Sequence, residues 1–194
     1  KALSSSTIAE RATILRSIFP EIPSVTIGTQ TWAVRNAEHV CSANGTLIPD
    51  GNVTGTWVAG TSFWCNAGGN IGNASIYGKL YNKAARNVII ANPPEGWHVA
   101  TEAENTAIAA IGGTALKLAG SVYWSTANGN NSTGLSLIGA GKRNADGSFS
   151  TLKGDAYIWC ADSDKVLHVT DAGVATIENI INANDGYSIR LVKN

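Results

Sequence analysis

The sequence predicts an α+β domain in which one or two helices accompany many short, mostly antiparallel strands. Three observations support this prediction. Apolar residues recur at helical spacing in residues 8–19 and again in residues 101–111. Elsewhere, short β-type runs alternate with turns of Gly, Asn, Ser and Thr. The 194 residues suit one domain with a short appendage, and they can bury a sizeable core.

The N-terminal twenty residues predict a helix. Thr7 and Glu10 fit a capping box, and Pro20 ends the segment. A helix of about a dozen residues is marginal alone in water, so it must pack on its own domain or on copies of itself. We therefore divide the chain into a connecting or trimerisation helix, residues 1–20, and a domain, residues 21–194. The apolar stripe of the helix comprises Ile8, Ala12, Leu15 and Phe19.

The domain begins with a predicted hairpin of residues 25–27 and 31–34. A second helix is predicted from Thr101, where Thr101 and Glu104 form another capping box. Ile108 and Ile111 give this helix a buried stripe, and Gly112–Gly113 end it. Residues 41–75 predict long loops around short strands. Strands are predicted at residues 54–58, 121–125, 156–160, 166–170 and 187–192.

Composition excludes several classes of partner. The 14 Lys and Arg residues balance the charge of the 14 Asp and Glu residues, and only 14% of residues are charged. A typical value is about 25%. Without a basic stripe we expect no nucleic-acid partner and no polybasic membrane attachment. No apolar run approaches the roughly 20 residues of a membrane-spanning helix, so we expect no membrane insertion. The chain has no methionine and no signal-peptide pattern at its start, so we expect a processed or partial chain.

The cysteines and histidines are predicted to have structural roles. The three cysteines form no C-x-x-C pair and have no adjacent basic residue, which is typical of buried, unreactive thiols; one disulfide remains possible. The histidines lack a local metal-ligand spacing. We expect His98 to be packed and hydrogen-bonded, and His168 to be able to face solvent from a strand. Asp162 and Asp164 give a weak calcium signal, although a solvated loop explains them better.

Aromatic and amide side chains predict a binding surface. Trp124 precedes a run of amides and hydroxyls that extends to residue 133, and a second polar loop spans residues 161–185. Such side chains recognise neutral sugars and protein epitopes, and they dominate antibody paratopes. Trp32, Trp97 and Trp159 are interpreted instead as core residues. The candidate binding residues are Trp124, Asn128, Asn130, Asn131, Asp162, Asp164, Asn182 and Asn184.

Four stretches resemble the Fibrobacter succinogenes major paralogous domain, a family of bacterial secreted and phage-encoded modules. They are TIGTQTW at residues 26–32 with Asn36, YGKLYN at residues 77–82 with Ala84 and Ala85, PEGWHV at residues 94–99 with Thr101 and Glu104, and GYSIRLVK at residues 186–193.

The resemblance implies a C-type-lectin-like fold with a loop region as its ligand face, and kinship with formylglycine-generating enzymes and phage receptor-binding proteins. The chain departs from the family pattern at two cysteine positions, where it has Asn92-Pro93 and Leu191, and at a tryptophan position, where it has Asn105.

Together with this resemblance, the residues predict a non-enzymatic adhesion or receptor-binding module without a cofactor, at the C-terminal end of a phage fibre or other virion appendage. Its partners would be a cell-surface glycan or protein and other subunits of the assembly, with a homotrimer expected. The alternatives are a structural or decoration module of a virion or cell envelope, and a secreted bacterial surface lipoprotein domain. An oxidase-like enzyme is the third hypothesis.

Overall fold

The computed structural model describes residues 21–52, 55–180 and 182–194. The predicted helix of residues 1–20 lies outside these ranges, so that prediction stays open. Within the described ranges the chain forms eleven strands and four helices, which confirms the α+β class. The strands are β1 Ser24–Ile27, β2 Gln30–Ala33, β3 Trp64–Asn66, β4 Lys79–Tyr81, β5 Trp97–Val99, β6 Lys142–Arg143, β7 Phe149–Ser150, β8 Asp155–Trp159, β9 Lys165–Thr170, β10 Ala175–Asn179 and β11 Leu191–Lys193. The helices are α1 Ala74–Tyr77, α2 Lys83–Ala91, α3 Glu102–Ala109 and α4 Gly113–Leu116.

The largest sheet joins the two ends of the domain, in the antiparallel order β1-β2-β11-β5. The predicted hairpin forms its first half, and Gly28 takes the positive φ of 63° that the tight turn needs. Val192 in β11 pairs with Trp32 on one side and with His98 on the other. The last residues of the chain therefore close the domain onto its first hairpin.

A second sheet is a three-stranded antiparallel meander in the order β10-β9-β8. It confirms the strands predicted at residues 156–160 and 166–170. Both faces of β9 carry buried residues, since Leu167 and Val169 belong to one core cluster and Val166 to another, and α3 packs on this sheet. Two smaller antiparallel pairs, β3 with β4 and β6 with β7, complete the sheets.

The C-terminal segment, residues 187–192, is predicted as one strand, but the structure differs. Regular pairing is confined to β11, and the preceding residues form single bridges to different partners, Tyr187 to Tyr81 and Ser188 to Ile158. Because each bridge reaches another element, the segment joins several sheets instead of extending one.

Helix α3 begins where the sequence predicts. Thr101 and Glu104 form the capping box, with the Glu104 amide donating to the Thr101 hydroxyl. Ile108 is buried, but Ile111 is 46% exposed, so its predicted place in the apolar stripe is wrong. The helix ends at Ala109, so Ile111 lies beyond it and does not share its register, and Gly112, with φ 95°, then redirects the chain.

Helix α2 was not predicted as a helix. Asn82 caps it, because its side-chain oxygen accepts a hydrogen bond from the Ala85 amide at 2.9 Å. Arg86 of this helix is buried and lies over the Trp159 ring, 4.7 Å from the centroid. The helix is thereby fixed against the meander sheet.

Two predicted strands are absent from the described residues. Residues 121–125 form a series of bends, and residues 55–58 are irregular, while Thr54 lies outside the described part. Trp57 is nevertheless buried, and its indole N–H donates to the Gly51 carbonyl at 2.9 Å. The aromatic residues in these two regions therefore pack irregular segments onto the core. Their β-type composition is explained by burial of these side chains and not by strand formation.

The core forms three clusters of buried side chains. Trp32 and Trp124 belong to one cluster, Trp159 to a second and Trp57 to a third. The predicted core positions of Trp32 and Trp159 are confirmed, and Trp97 is partly buried against the second cluster.

Candidate functional site

Trp124 lies in the core and not on a binding surface. Its side chain is 0% exposed, and its indole N–H donates to the Leu137 carbonyl at 2.9 Å. It packs in the same cluster as Trp32 and Leu135. A ligand cannot reach this ring, so the prediction that Trp124 binds a ligand is wrong. Complete burial of this large aromatic ring stabilises the fold more than exposure of the ring on a loop would.

Tyr123, the preceding residue, is the aromatic residue that faces outward. Its half-buried ring meets Tyr77 edge-on, with centroids 6.1 Å apart and an interplanar angle of 86°. It lines an open cleft of about 310 Å³, which we call the Tyr123 cleft. The polar and aromatic lining includes Tyr123, Arg35, Ser75, Ser136 and Arg190, beside the apolar Ile76.

The Tyr123 cleft combines an aromatic ring, an apolar side chain and hydroxyl groups. Ile76 is 45% exposed although it is large and apolar. The Ser136 hydroxyl accepts a hydrogen bond from the Asn131 side-chain amide at 3.1 Å. Small-molecule sites have this composition, an apolar wall with a few fixed polar groups.

Arg190 places a positive charge beneath the cleft. Its side chain is only 1% exposed, and its guanidinium donates to the side-chain oxygen of Asn36 at 2.7 Å. Other N–H groups donate to the carbonyls of Ala33, Leu135 and Ser136. These described acceptors are all neutral. Burial lowers the pKa of Arg190 to about 9, so the group keeps its charge at neutral pH.

Asn130 and Asn131 hold the loop beside the cleft. The side-chain oxygen of Asn131 accepts from the Ser136 amide at 2.8 Å, and that of Asn130 accepts from the Ser132 amide at 3.0 Å. Asn131 has a φ of 51°, a conformation that asparagine tolerates better than most residues. Both amides fix loop geometry, and Asn131 positions Ser136, which lines the cleft.

Asn128 faces a buried lysine. Its side-chain oxygen lies 2.5 Å from the Lys117 amine, and its side-chain N–H donates to the Asp171 carbonyl at 2.9 Å. Lys117 is 0% exposed and lies over the Trp124 ring, 4.2 Å from the centroid. This cluster fastens the loop to the turn between β9 and β10.

The family model of the Fibrobacter succinogenes major domain matches residues 25–193, from β1 to β11. The chain belongs to this family. The matched region of the family domain contains every described residue of the Tyr123 cleft. No curated protein and no solved structure matches the chain.

Asp162 and Asp164 of the family domain have partners within the chain. The Asp162 carboxylate accepts from the Glu102 amide at 2.7 Å, at the first turn of α3, where negative charge is favourable. The Asp164 carboxylate lies 2.6 Å from the Lys83 amine. Among the described residues, no three His, Cys, Asp or Glu side chains are grouped to hold a metal ion.

Asn182 and Asn184 form a turn away from the cleft. The side-chain oxygen of Asn182 accepts from the Asn184 amide at 2.9 Å, and the Asn184 side chain donates to the Trp57 carbonyl at 3.1 Å. Neither residue is part of the described lining of the Tyr123 cleft. The eight predicted residues therefore do not form one site, and among them Asn131 is hydrogen-bonded to a residue of the described cleft lining, Ser136.

The cysteines of the family domain are free thiols in the described structure. Cys65 and Cys160 are buried, as predicted, whereas Cys41 is partly exposed. Burial raises the pKa of Cys65 to about 12 and that of Cys160 to about 11. Both thiols are therefore protonated at neutral pH and are poor nucleophiles.

His98 has the structural role that the sequence predicts. Its Nε2 lies 2.9 Å from the Glu104 carboxylate, and its Nδ1 lies 2.7 Å from the Asn194 side-chain oxygen. The side chain of Gln30 donates to the same carboxylate at 3.1 Å. The motif around Gly96 thus joins the largest sheet to the capping box of α3.

His168 does not face solvent freely. Its ring stacks on Tyr157, with centroids 4.3 Å apart, and Nδ1 lies 2.8 Å from the Glu178 carboxylate. Asp155 lies 3.3 Å from Nε2. Register explains this cluster, because Tyr157 and His168 are direct cross-strand partners. The neighbours of His168 along its own strand do not indicate this cluster, because only the strand register brings Tyr157 beside it.

Proposed function

We propose that the family domain is a non-enzymatic adhesion module and that the Tyr123 cleft binds a glycan or protein on a cell surface. The observation that carries this proposal is the open cleft in which the Tyr123 ring, exposed Ile76 and the hydroxyls of Ser75 and Ser136 converge. A sugar ring has an apolar C–H face and a rim of hydroxyls. It would pack on the first two side chains and bond to the other two.

The size of the cleft limits the ligand. A volume of about 310 Å³ is at the lower end of the range for small-molecule sites, roughly 300–1,000 Å³. We therefore propose that one terminal sugar, or one side chain of a protein receptor, enters the cleft. Weak single sites of this kind act together when several copies are displayed, which agrees with the proposed homotrimer on a virion appendage or bacterial surface.

Charge further favours an acidic ligand. Arg35 is exposed at the cleft and Arg190 lies buried behind it, while the described lining contains no acidic residue. In a chain with a formal net charge of +0, this places a local positive potential where the ligand would bind. A carboxylate or sulfate group on the ligand would interact favourably with it.

Replacing Tyr123 tests the proposal. Glycan arrays and whole-cell binding should show about tenfold weaker binding, or more, for Tyr123→Ala. Tyr123→Phe keeps the ring and should retain most of the affinity. Val122→Ala is the matched control, because Val122 is adjacent and exposed but is not part of the described lining. Unchanged binding of a folded Tyr123→Ala protein would contradict the assignment of the site.

A further inference from the structure

A lysine amine, an asparagine amide and an aspartate carboxylate meet beneath residues 118–127. The Nζ atom of Lys117 lies 2.5 Å from Oδ1 of Asn128 and 3.5 Å from Oδ1 of Asp171. The same amine also donates to the Asp171 backbone carbonyl. The three residues come from different segments, and the turn between β9 and β10 supplies the carboxylate.

The surroundings make the Lys117 amine a potential nucleophile. Its side chain is buried completely, with Nζ over the Trp124 ring. Burial lowers the pKa of Lys117, so the neutral amine is present more often than in a surface lysine. Desolvated lysines in apolar surroundings are activated in the same way in enzymes that use a lysine nucleophile.

The amine is also close to the carbon that it would attack. A carbonyl bond is about 1.23 Å long, and Nζ lies 2.5 Å from Oδ1. The distance from Nζ to the amide carbon of Asn128 is therefore at most about 3.7 Å. Reacting atoms held at about 3–3.5 Å have an effective concentration far above that in solution.

We propose that Lys117 and Asn128 form an intramolecular isopeptide bond. Neutral Nζ attacks the side-chain carbonyl carbon of Asn128, and a new C–N bond forms. The Asp171 carboxylate accepts a proton from the attacking nitrogen and returns it to the departing Nδ2. The bond from carbon to Nδ2 breaks and ammonia leaves. No oxidant or reductant is required, and the mass falls by about 17 Da, the mass of ammonia.

Two contacts support the assigned roles. The departing nitrogen of Asn128 is held at the Asp171 backbone carbonyl, at 2.9 Å. The Asp171 carboxylate is fixed by the Thr126 amide, which donates to Oδ1 at 3.1 Å. The Asp171 carboxylate therefore lies near the attacking nitrogen, and the backbone carbonyl of the same residue holds the departing nitrogen. This proposal does not depend on the proposed function, although the bond would close a ring around Tyr123.

Mass spectrometry of the purified full chain tests the proposal. The intact mass should be about 17 Da below that of the sequence, because one ammonia has left. Trypsin cleaves after unmodified lysine and arginine, and Lys117 is the only such residue between Arg86 and Lys142. The cross-linked chain should therefore give one peptide of residues 87–142. Separate peptides 87–117 and 118–142, with the full intact mass, would overturn the proposal.

Variants separate the bond from succinimide formation at Asn128-Gly129, which also releases ammonia. Lys117→Arg and Asn128→Ala should both restore the full mass, and Asp171→Asn should reduce the cross-linked fraction at least tenfold. Asn130→Ala, the matched control, should keep the loss. A loss that persists in Lys117→Arg would overturn the proposal. The wild-type mass and peptides decide it even if a variant fails to fold.

Discussion

Tyr123 and Trp124 are neighbours in the chain and lie in opposite surroundings. Trp124 faces inward, where Lys117 lies over its ring and the Leu137 carbonyl accepts its N–H. Tyr123 faces outward into the cleft, although it also packs against two core clusters and meets the Tyr77 ring edge-on. We call these the inner side and the outer side of the loop. The comparison shows that one loop both anchors itself in the core through Trp124 and places the Tyr123 ring at an open cleft.

The two sides also differ in what surrounds a buried basic side chain. On the inner side, Lys117 has the Asp171 carboxylate nearby and an aromatic ring beneath it. On the outer side, Arg190 bonds to neutral oxygens, among them Asn36 Oδ1. A guanidinium has five donors in a plane and can be satisfied by carbonyls alone. Its charge is therefore not neutralised locally, and it contributes to the potential in the cleft.

The largest expected effect is on the free energy of unfolding, and it distinguishes Trp124 from Tyr123. Trp124→Ala should lower the free energy of unfolding by about 3–5 kcal/mol, because it leaves a cavity in the core. Tyr123→Ala should lower it by only about 1 kcal/mol, since half-buried side chains contribute less. Urea denaturation of both variants measures this. Equal losses would remove the distinction between an inner and an outer side.

This pair also shows what the sequence could predict. The hairpin at Gly28 and the capping box of Thr101 and Glu104 are local signals, and both are confirmed. The direction of Trp124 depends on Lys117 and Leu137, which are contacts that no local pattern contains. Of the eight candidate binding residues, four lie in the loop that carries Tyr123, where Trp124 and Asn128 face the inner side. The other four lie in residues 161–185 and are not part of the described cleft lining.

One local signal and several long-range pairings explain the other differences. Asn82 is itself a local cap signal for α2, but the residues around it predict only a family motif. Residues 187–190 are extended as expected, but their bridges go to Tyr81 and Ile158, which lie in different sheets. The cluster of Tyr157 and His168 depends on strand register, which the sequence does not specify by itself.

A smaller effect tests the core beneath the outer side. Cys65 belongs to the cluster that also contains Tyr77, and burial raises its pKa from 9.0 to about 12. The unfolded chain therefore loses this proton first, and stability falls as the pH rises from about 9 toward 12. In Cys65→Ala, the loss between pH 7 and pH 10 should be smaller, by on the order of 1 kcal/mol. Urea midpoints at the two pH values measure it. An identical pH dependence in both proteins would show that the thiol is not buried as described.

The smallest expected change in stability, with a clear change in binding, comes from Arg35→Gln on the outer side. Arg35 is exposed, so the free energy of unfolding should change by no more than about 0.5 kcal/mol. Binding to a sialylated glycan or cell should weaken about fivefold to tenfold, which corresponds to roughly 1 kcal/mol. Binding to the desialylated counterpart should not change, and added salt should reduce the difference.

Lys193→Gln is the matched control for Arg35→Gln, because Lys193 is exposed on β11 and is not part of the described cleft lining. If both variants weaken binding equally, general attraction to an acidic surface explains the result, and the cleft does not recognise the acidic group. If only Arg35→Gln responds, the recognised charge lies at the Tyr123 cleft. Since Arg190 stays buried and charged in that variant, any remaining preference for the acidic ligand measures the contribution of the charge behind the cleft.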